Sequence, residues 1–275
     1  MTYATGAEKS PYDVRTFAYI PTGVPVSGGV RYKPEDIEDQ HRVGICTAIS
    51  ITQNAKKALG KKFSADFQYL MQKKQDGNWN EGSSISSALR VAQKVGFLPE
   101  TSWKFTTEAD RNLSYEKYIK KLQAISDKDI EKLKALASKN KILAYSRVPI
   151  ERDLMAQAIN ESAAGVLTRY DIGNEWWTGK IEPLRAPKSI VSGHAVTDSN
   201  YNGTSFRIAN TWGTDWADKG TAYRLQKDYR PTECWLVHYD HVPEPVQKQL
   251  DARTELQGKV LNALQEIIKL YQNLK

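Results

Sequence analysis

The spacing of apolar residues changes character near residue 140. In 46–59 (CTAISITQNAKKAL) they recur at helical spacing and stop at Gly60. The runs 64–73 and 84–95 repeat that pattern, the second ended by Gly96 and Pro99. A lysine-rich run, 127–138, has the same period, with Ser126 placed to cap its first turn. Beyond about residue 140 the runs shorten and read as strands: 142–147, 165–170, 194–200, 204–210, 221–226 and 234–239. One helical stretch, 152–161, interrupts them. Helices first and strands later predict an α+β protein of two unlike halves, about 34–139 helical and about 140–240 β-rich. A cleft between such halves is where a ligand is expected.

The two ends differ from this body. Residues 1–33 carry Pro11, Pro21 and Pro25 with Gly23, Gly28 and Gly29, and predict an extended arm. The tail, 241–275, opens with HVPEPVQ, a linker, and continues into a predicted helix over 247–274. In that helix Val260, Leu264, Ile267, Tyr271 and Leu274 step by four, three, four and three, an a/d stripe of about two heptads. Such a stripe seats the helix on its own domain, or serves self-association or docking on a partner.

Composition narrows the class. A 40% hydrophobic and 26% charged chain is ordinary for a soluble globular protein. No apolar run is long enough to span a membrane, and MTYATGAEKSPYDVR lacks the apolar stretch of a signal peptide. The net charge of +7 comes from lysines interleaved with acids, which reads as solvated helix faces rather than a nucleic-acid surface. Two cysteines, Cys46 and Cys234, exclude a disulfide framework and favour a cytoplasmic location, with secretion left open.

A cysteine nucleophile needs a thiolate, a base, a group that orients the base, and donors for an oxyanion. Cys46 stands at the start of a predicted helix, where backbone N–H groups and the helix dipole favour a negative sulfur. A lone cysteine on an apolar helix face is more often a buried structural residue. Of the four histidines, His194 opens a strand-like run after a flexible Ser-Gly turn and is the best base. His238 and His41 lack an evident orienting group or sit where packing explains them. Asn210, sixteen residues after His194, can accept from one imidazole nitrogen and leave the other for the thiolate, with Trp212 covering that bond. Gln40, six residues before Cys46, offers an amide N–H₂ beside the Cys46 N–H for an oxyanion. Each of these alone has a bland structural explanation; together they form one ordered constellation.

That constellation resembles the papain family of cysteine peptidases, over about 12–240. Gln40 and Cys46 stand at the family's spacing of oxyanion glutamine and nucleophile, Gly193-His194-Ala195-Val196 resembles its histidine motif, and Asn210-Thr211-Trp212-Gly213-Thr214-Asp215-Trp216 resembles its asparagine motif. The stretch from Glu81-Gly82-Ser83-Ser84-Ile85 to Gly96-Phe97-Leu98-Pro99-Glu100 is similar to a microbial branch. The resemblance implies a helical left lobe and a β-barrel-like right lobe, with the active site between them. It also implies catalytic roles for Cys46, His194, Asn210 and Gln40, and a peptide or protein substrate with no cofactor and no metal. Gly82 would then offer backbone hydrogen bonds to an extended peptide, Trp212 would wall the site, and Ile85, Gly193 and Ala195 would line a pocket for a small or apolar side chain.

Departures from the family pattern are His41 where glycine is usual, Ile45 and Thr47 flanking the cysteine, and Ala217 in place of a glycine after Trp216. About 30 residues precede the mature-like segment, fewer than a pro-domain of the usual kind. The expected activity is a peptidase, an endopeptidase first. The alternatives are another Cys-His acyl-transfer enzyme (transglutaminase- or amidase-like) and an inactive binding protein on the same scaffold.

Overall fold

The computed structural model describes residues 4–273 except 14–15, 22, 24–26, 104, 106–110, 113, 180–182, 226, 228 and 241–243. The side chains at 244–246, 249–250, 253 and 268–273 also lie outside the description. Three very short strands lie in the arm: β1 (Ala7–Glu8), β2 (Phe17–Ala18) and β3 (Gly28–Gly29). Pro25, expected in this arm, is outside the described residues.

The helical half contains α1 (Cys46–Leu59), α2 (Ala65–Asp76), the short strand β4 (Ser83–Ser84), α3 (Ile85–Lys94), α4 (Tyr115–Gln123) and α5 (Asp127–Ala137). The hydroxyls of Ser64, Ser84 and Ser126 accept from the backbone N–H groups of Phe67, Ser87 and Asp129 and so start α2, α3 and α5. Helix α1 differs: Ile45 precedes it and supplies no side-chain cap. The first-turn N–H groups of α1 are thus kept for another use. Helix α4 was not anticipated from the sequence. Its apolar face is only Tyr118, Ile119 and Leu122 among lysines, and the Tyr118 hydroxyl fixes it by donating to Asp66 at 2.7 Å.

The β-rich half contains β5 (Ala144–Arg147), α6 (Arg152–Glu161), β6 (Val166–Ile172), β7 (Ser192–Tyr201), β8 (Ser205–Ala209), β9 (Thr221–Leu225) and β10 (Glu233–His238). These strands and two from the arm make an eight-stranded sheet in the order β2-β5-β10-β6-β7-β8-β9, with β3 added on β7. The long pair β6–β7 is antiparallel, with Arg169 opposite Ala195 and Tyr170 opposite His194. The architecture is α+β and two-lobed. Gln226, the last residue of the predicted strand 221–226, is outside the described residues.

Each half has apolar clusters of its own, and a further cluster with Ile51, Leu89, Leu167 and Trp235 joins them. One in the helical half packs Ile49, Phe67, Leu70, Tyr118 and Leu133 among the helices. One in the β-rich half, under the sheet, packs Tyr170, Trp176, Trp212 and Trp216, all 1% exposed or less. Residues 4–240 belong to one compact unit, and 241–275 form a second, whose described structure is the single helix α7 (Glu244–Asn273).

Ala217 has φ +48°, a left-handed conformation that costs a residue with a Cβ about 1–2 kcal/mol. Ala217→Gly relieves this but loosens the unfolded chain, so the expected net gain is about 0.5–1 kcal/mol in urea denaturation.

Candidate active site

The site forms where the uncapped start of α1 meets β7. Helix α1 is buried along most of its length, so its polar side chains must find partners in the protein. Ser50 donates to the carbonyl of Ala195 at 2.8 Å and Gln53 to that of Asn210 at 3.3 Å. Asn54 donates to the carbonyl of Ala164 at 3.1 Å and accepts from Tyr239 at 2.7 Å. These bonds fix Cys46 against the strand that carries His194.

His194 is fully buried, and its Nε2 bonds Asn210 Oδ1 at 2.7 Å. Asn210 Oδ1 also accepts from the Thr211 N–H at 2.8 Å, which holds the amide in this orientation. Trp212 stacks on the imidazole at 4.4 Å between centroids, and Trp176 meets it edge-on at 5.8 Å. With Nε2 taken by the amide, Nδ1 is the remaining ring nitrogen. It is buried without a hydrogen-bond partner among the described residues. Burial brings the His194 pKa down to about 4, against the opposing pull of the Asn210 bond. Burial likewise pushes the Cys46 thiol up to about 11, opposed by backbone hydrogen bonds from Ala195, Thr47 and Cys46 itself. In this geometry both groups are neutral.

The Gln40 amide nitrogen donates to the carbonyls of Val43 at 3.1 Å and Ala4 at 3.0 Å, and its oxygen accepts from the Thr211 hydroxyl at 2.6 Å. Thr211 thus sets which way the amide points, a part not legible beforehand beyond its place in the motif.

No family model matches the sequence, and no curated protein matches it. Solved structures do. Xylellain, a cysteine protease from Xylella fastidiosa, superposes with a TM-score of 0.69 at 22% identity, over 87% of this chain and 97% of its own. Digestive procathepsin L 3 of Tenebrio molitor larval midgut gives 0.62 at 14% identity, over 86% and 76%. The procathepsin B S9 from Trypanosoma congolense gives 0.59 at 17%, over 86% and 87%. The chain has the papain-like fold.

Within that papain-like frame, Ile85 and Ala195 lie in one buried cluster with Cys46 and Ala7, and Gly193 lies one residue before His194 on β7. Gly82 is bonded to the helical half on both its backbone groups. Its N–H donates to the Tyr69 hydroxyl at 3.1 Å, and its carbonyl accepts from the Lys73 ammonium. Lys73 is 1% exposed, and a buried ammonium has to be satisfied by nearby oxygens; it takes the Gly82 and Asn80 carbonyls. The next N–H, that of Ser83, donates to the Gly6 carbonyl at 2.9 Å. The anchoring pair Tyr69 and Lys73, both on α2, was not anticipated, because it acts on a separate segment with no local motif.

His41 takes the glycine's place with φ +54°, and its N–H donates to Asp39 at 2.7 Å. Asp39 accepts from the backbone and lies 3.3 Å from the His41 ring nitrogen, which offsets the conformational cost.

Because the unfolded chain protonates His194 near its usual 6.5 and the folded chain only near 4, this residue's contribution is whole above pH 6.5. It falls as pH drops towards 4, by about 3 kcal/mol. Denaturant midpoints measured from pH 7 to pH 4 are expected to show that loss, and His194→Gln to lack it.

Proposed function

We propose that the protein is a cysteine-type peptidase, an endopeptidase, whose catalytic domain is 34–240 and whose nucleophile is Cys46. The observation that carries this reading is the bond from His194 Nε2 to Asn210 Oδ1 under the Trp212 ring, with Cys46 at an uncapped helix start. A structural histidine has no need of an amide that fixes one nitrogen while the other is left unpaired.

The chemistry follows from these groups. When the cleft admits water and peptide, the thiol proton passes to His194 Nδ1, and the first-turn N–H groups of α1 favour the thiolate. The sulfur attacks the scissile carbonyl carbon. The carbonyl π electrons move to oxygen, and the oxyanion is held by Gln40 Nε2 and the Cys46 N–H. Collapse breaks the C–N bond, and the imidazolium delivers its proton to the departing amine. Water, deprotonated by His194, then attacks the thioester and returns the free thiol. Asn210 keeps the ring in register throughout.

The pocket of Ile85, Gly193 and Ala195 suits a small or apolar side chain. Two unpaired, buried cysteines suit a reducing compartment such as the cytoplasm. No helix among the described residues is long and apolar enough to cross a membrane. For α7 we infer self-association. Val260, Leu264 and Ile267 are each more than half exposed along the stripe. Tyr271's side chain and Leu274 lie outside the described residues.

Cys46→Ala is expected to abolish hydrolysis of a peptide library, and Gln40→Ala to lower kcat by about 10²–10³-fold. Retained cleavage by the Cys46 variant, read by mass spectrometry of the products, excludes this mechanism. For α7, sedimentation of the full chain is expected to give an assembly that Val260→Glu with Leu264→Glu reduces to monomer.

A further inference from the structure

A cavity of about 660 Å³, a volume that suits a small ligand, adjoins the segment that carries Gln40 and has no part in the proposed chemistry. Five carboxyl groups line it, those of Glu35, Glu38, Asp39, Glu100 and Asp215. The permanent cations of the lining are Lys56, Lys62 and Arg111, and each is already engaged by a protein oxygen. Lys56 donates to the Glu35 carbonyl, and Lys62 pairs with Glu100 at 3.0 Å. Arg111 donates to the Asp39 carbonyl at 3.0 Å and pairs with Asp66 at 3.4 Å.

Glu38 is different. It is 8% exposed, and its Oε1 is buried with no hydrogen-bond partner among the described residues. A buried carboxyl ordinarily has a donor or a cation against each oxygen. Burial raises the Glu38 pKa, and the Arg111 guanidinium, the largest opposing charge, does not cancel that rise. Its backbone is held on both sides: the N–H donates to Gln53 at 2.9 Å, and the carbonyl accepts from the Gly213 N–H at 3.2 Å. The residue is thus fixed at the cavity with one oxygen left over. The lining narrows what can supply the partner. Among the described residues no three His, Cys, Asp or Glu side chains converge to hold a metal ion, so a divalent cation does not fit. An anion would meet five carboxyl groups. An alkylammonium needs one buried carboxylate and a few further oxygens, and its methylenes can lie along Ile37, which also lines the cavity.

We propose that this cavity is a binding site for an alkylammonium group, seated on Glu38 with the exposed Asp215 at its rim. The seated cation steadies residues 38–40, which run beside 211–213: the Gln40 N–H donates to the Thr211 carbonyl at 2.9 Å, and Asp39 bridges to Trp212. Gln40 and Trp212 are therefore held more firmly when the site is filled. Asp39 and His41 also line a second cavity, of about 860 Å³, together with Trp177 and Ser192. The ammonium can accordingly belong to a free amine or to a lysine side chain of a peptide lying there.

Binding is measured on the full chain by isothermal titration calorimetry at constant ionic strength, with putrescine as the free amine and Nα-acetyl-lysine methylamide as the peptide-like one. One or both are expected to bind at a single site. Putrescine binding alone marks a free amine as the occupant, and binding of the lysine amide marks a peptide side chain. Glu38→Gln keeps the shape and removes the charge, and is expected to weaken binding at least about tenfold. Asp215→Asn, at the exposed rim, is expected to weaken it about threefold, and Asp153→Asn, at the exposed start of α6, to leave it unchanged. Hydrogen–deuterium exchange at 37–41 is expected to slow when the amine is bound. Three results overturn the proposal: no binding of either probe, equal binding of its acetylated, uncharged form, or an unchanged Kd in Glu38→Gln. Protection confined to residues outside 35–41 and 211–215 overturns it as well. Should Glu38→Gln lose its fold by circular dichroism, the surface variant Asp215→Asn decides, and an unchanged Kd there overturns the site. An amine that binds as expected to a chain without peptidase activity leaves this inference standing and removes the proposed reaction.

Discussion

The docking of α1 on β7 is the constraint on which the rest depends. A helix buried on nearly all sides has to satisfy Ser50, Gln53 and Asn54 inside the protein, and each does so on a backbone or side chain of the other lobe. The Gln53 carbonyl oxygen also accepts from the Glu38 N–H at 2.9 Å, so one side chain ties the segment carrying Gln40 to the strand end carrying Asn210. Lobe packing and the alignment of Cys46, His194 and Gln40 are therefore one set of interactions. A polar group lost from this helix would cost both stability and register, because its partner would be left buried and unpaired.

The same burial shapes the electrostatics. His194 and Cys46 are both driven towards their neutral forms by desolvation, which outweighs the Asn210 bond on one and the backbone donors on the other. Two groups placed to share a proton are thus favoured in their neutral forms by the same burial. Elsewhere the interior holds charge in a closed ion pair. Arg224 and Asp198, both fully buried, lie 2.5 Å apart, and Tyr170 donates to the same carboxylate at 2.9 Å. That network sits behind the tryptophan cluster and stiffens the strands that carry His194 and Asn210.

Much of the helical half was legible from the sequence, because Ser64, Ser84 and Ser126 cap where the apolar period begins and Gly60 and Gly77 end helices with left-handed φ of 66° and 68°. The strands were legible for a related reason: alternation and turn residues are local signals, and β7 and β10 lie within a residue or two of where they read. Helix α4 was not, since three apolar residues among lysines make a helix only when α2 offers Asp66 to its Tyr118. The bonding of Gly82 was not legible either, because its partners Tyr69 and Lys73 are buried on another helix.

By itself, then, the sequence determined the α+β class, the order of helices and strands, and the small set Gln40, Cys46, His194 and Asn210 from which a site is drawn. These depend on local period, local caps and the spacing of reactive residue types. Only the tertiary structure decided how Thr211 turns the Gln40 amide and how Tyr69 and Lys73 hold Gly82. It alone brought Ala4 to Gln40 and Trp212, and Ala7 to Ser83. Those outcomes come from pairings between elements far apart in the chain, and a carbonyl such as that of Ala4 carries no mark in the sequence of the donor it will meet.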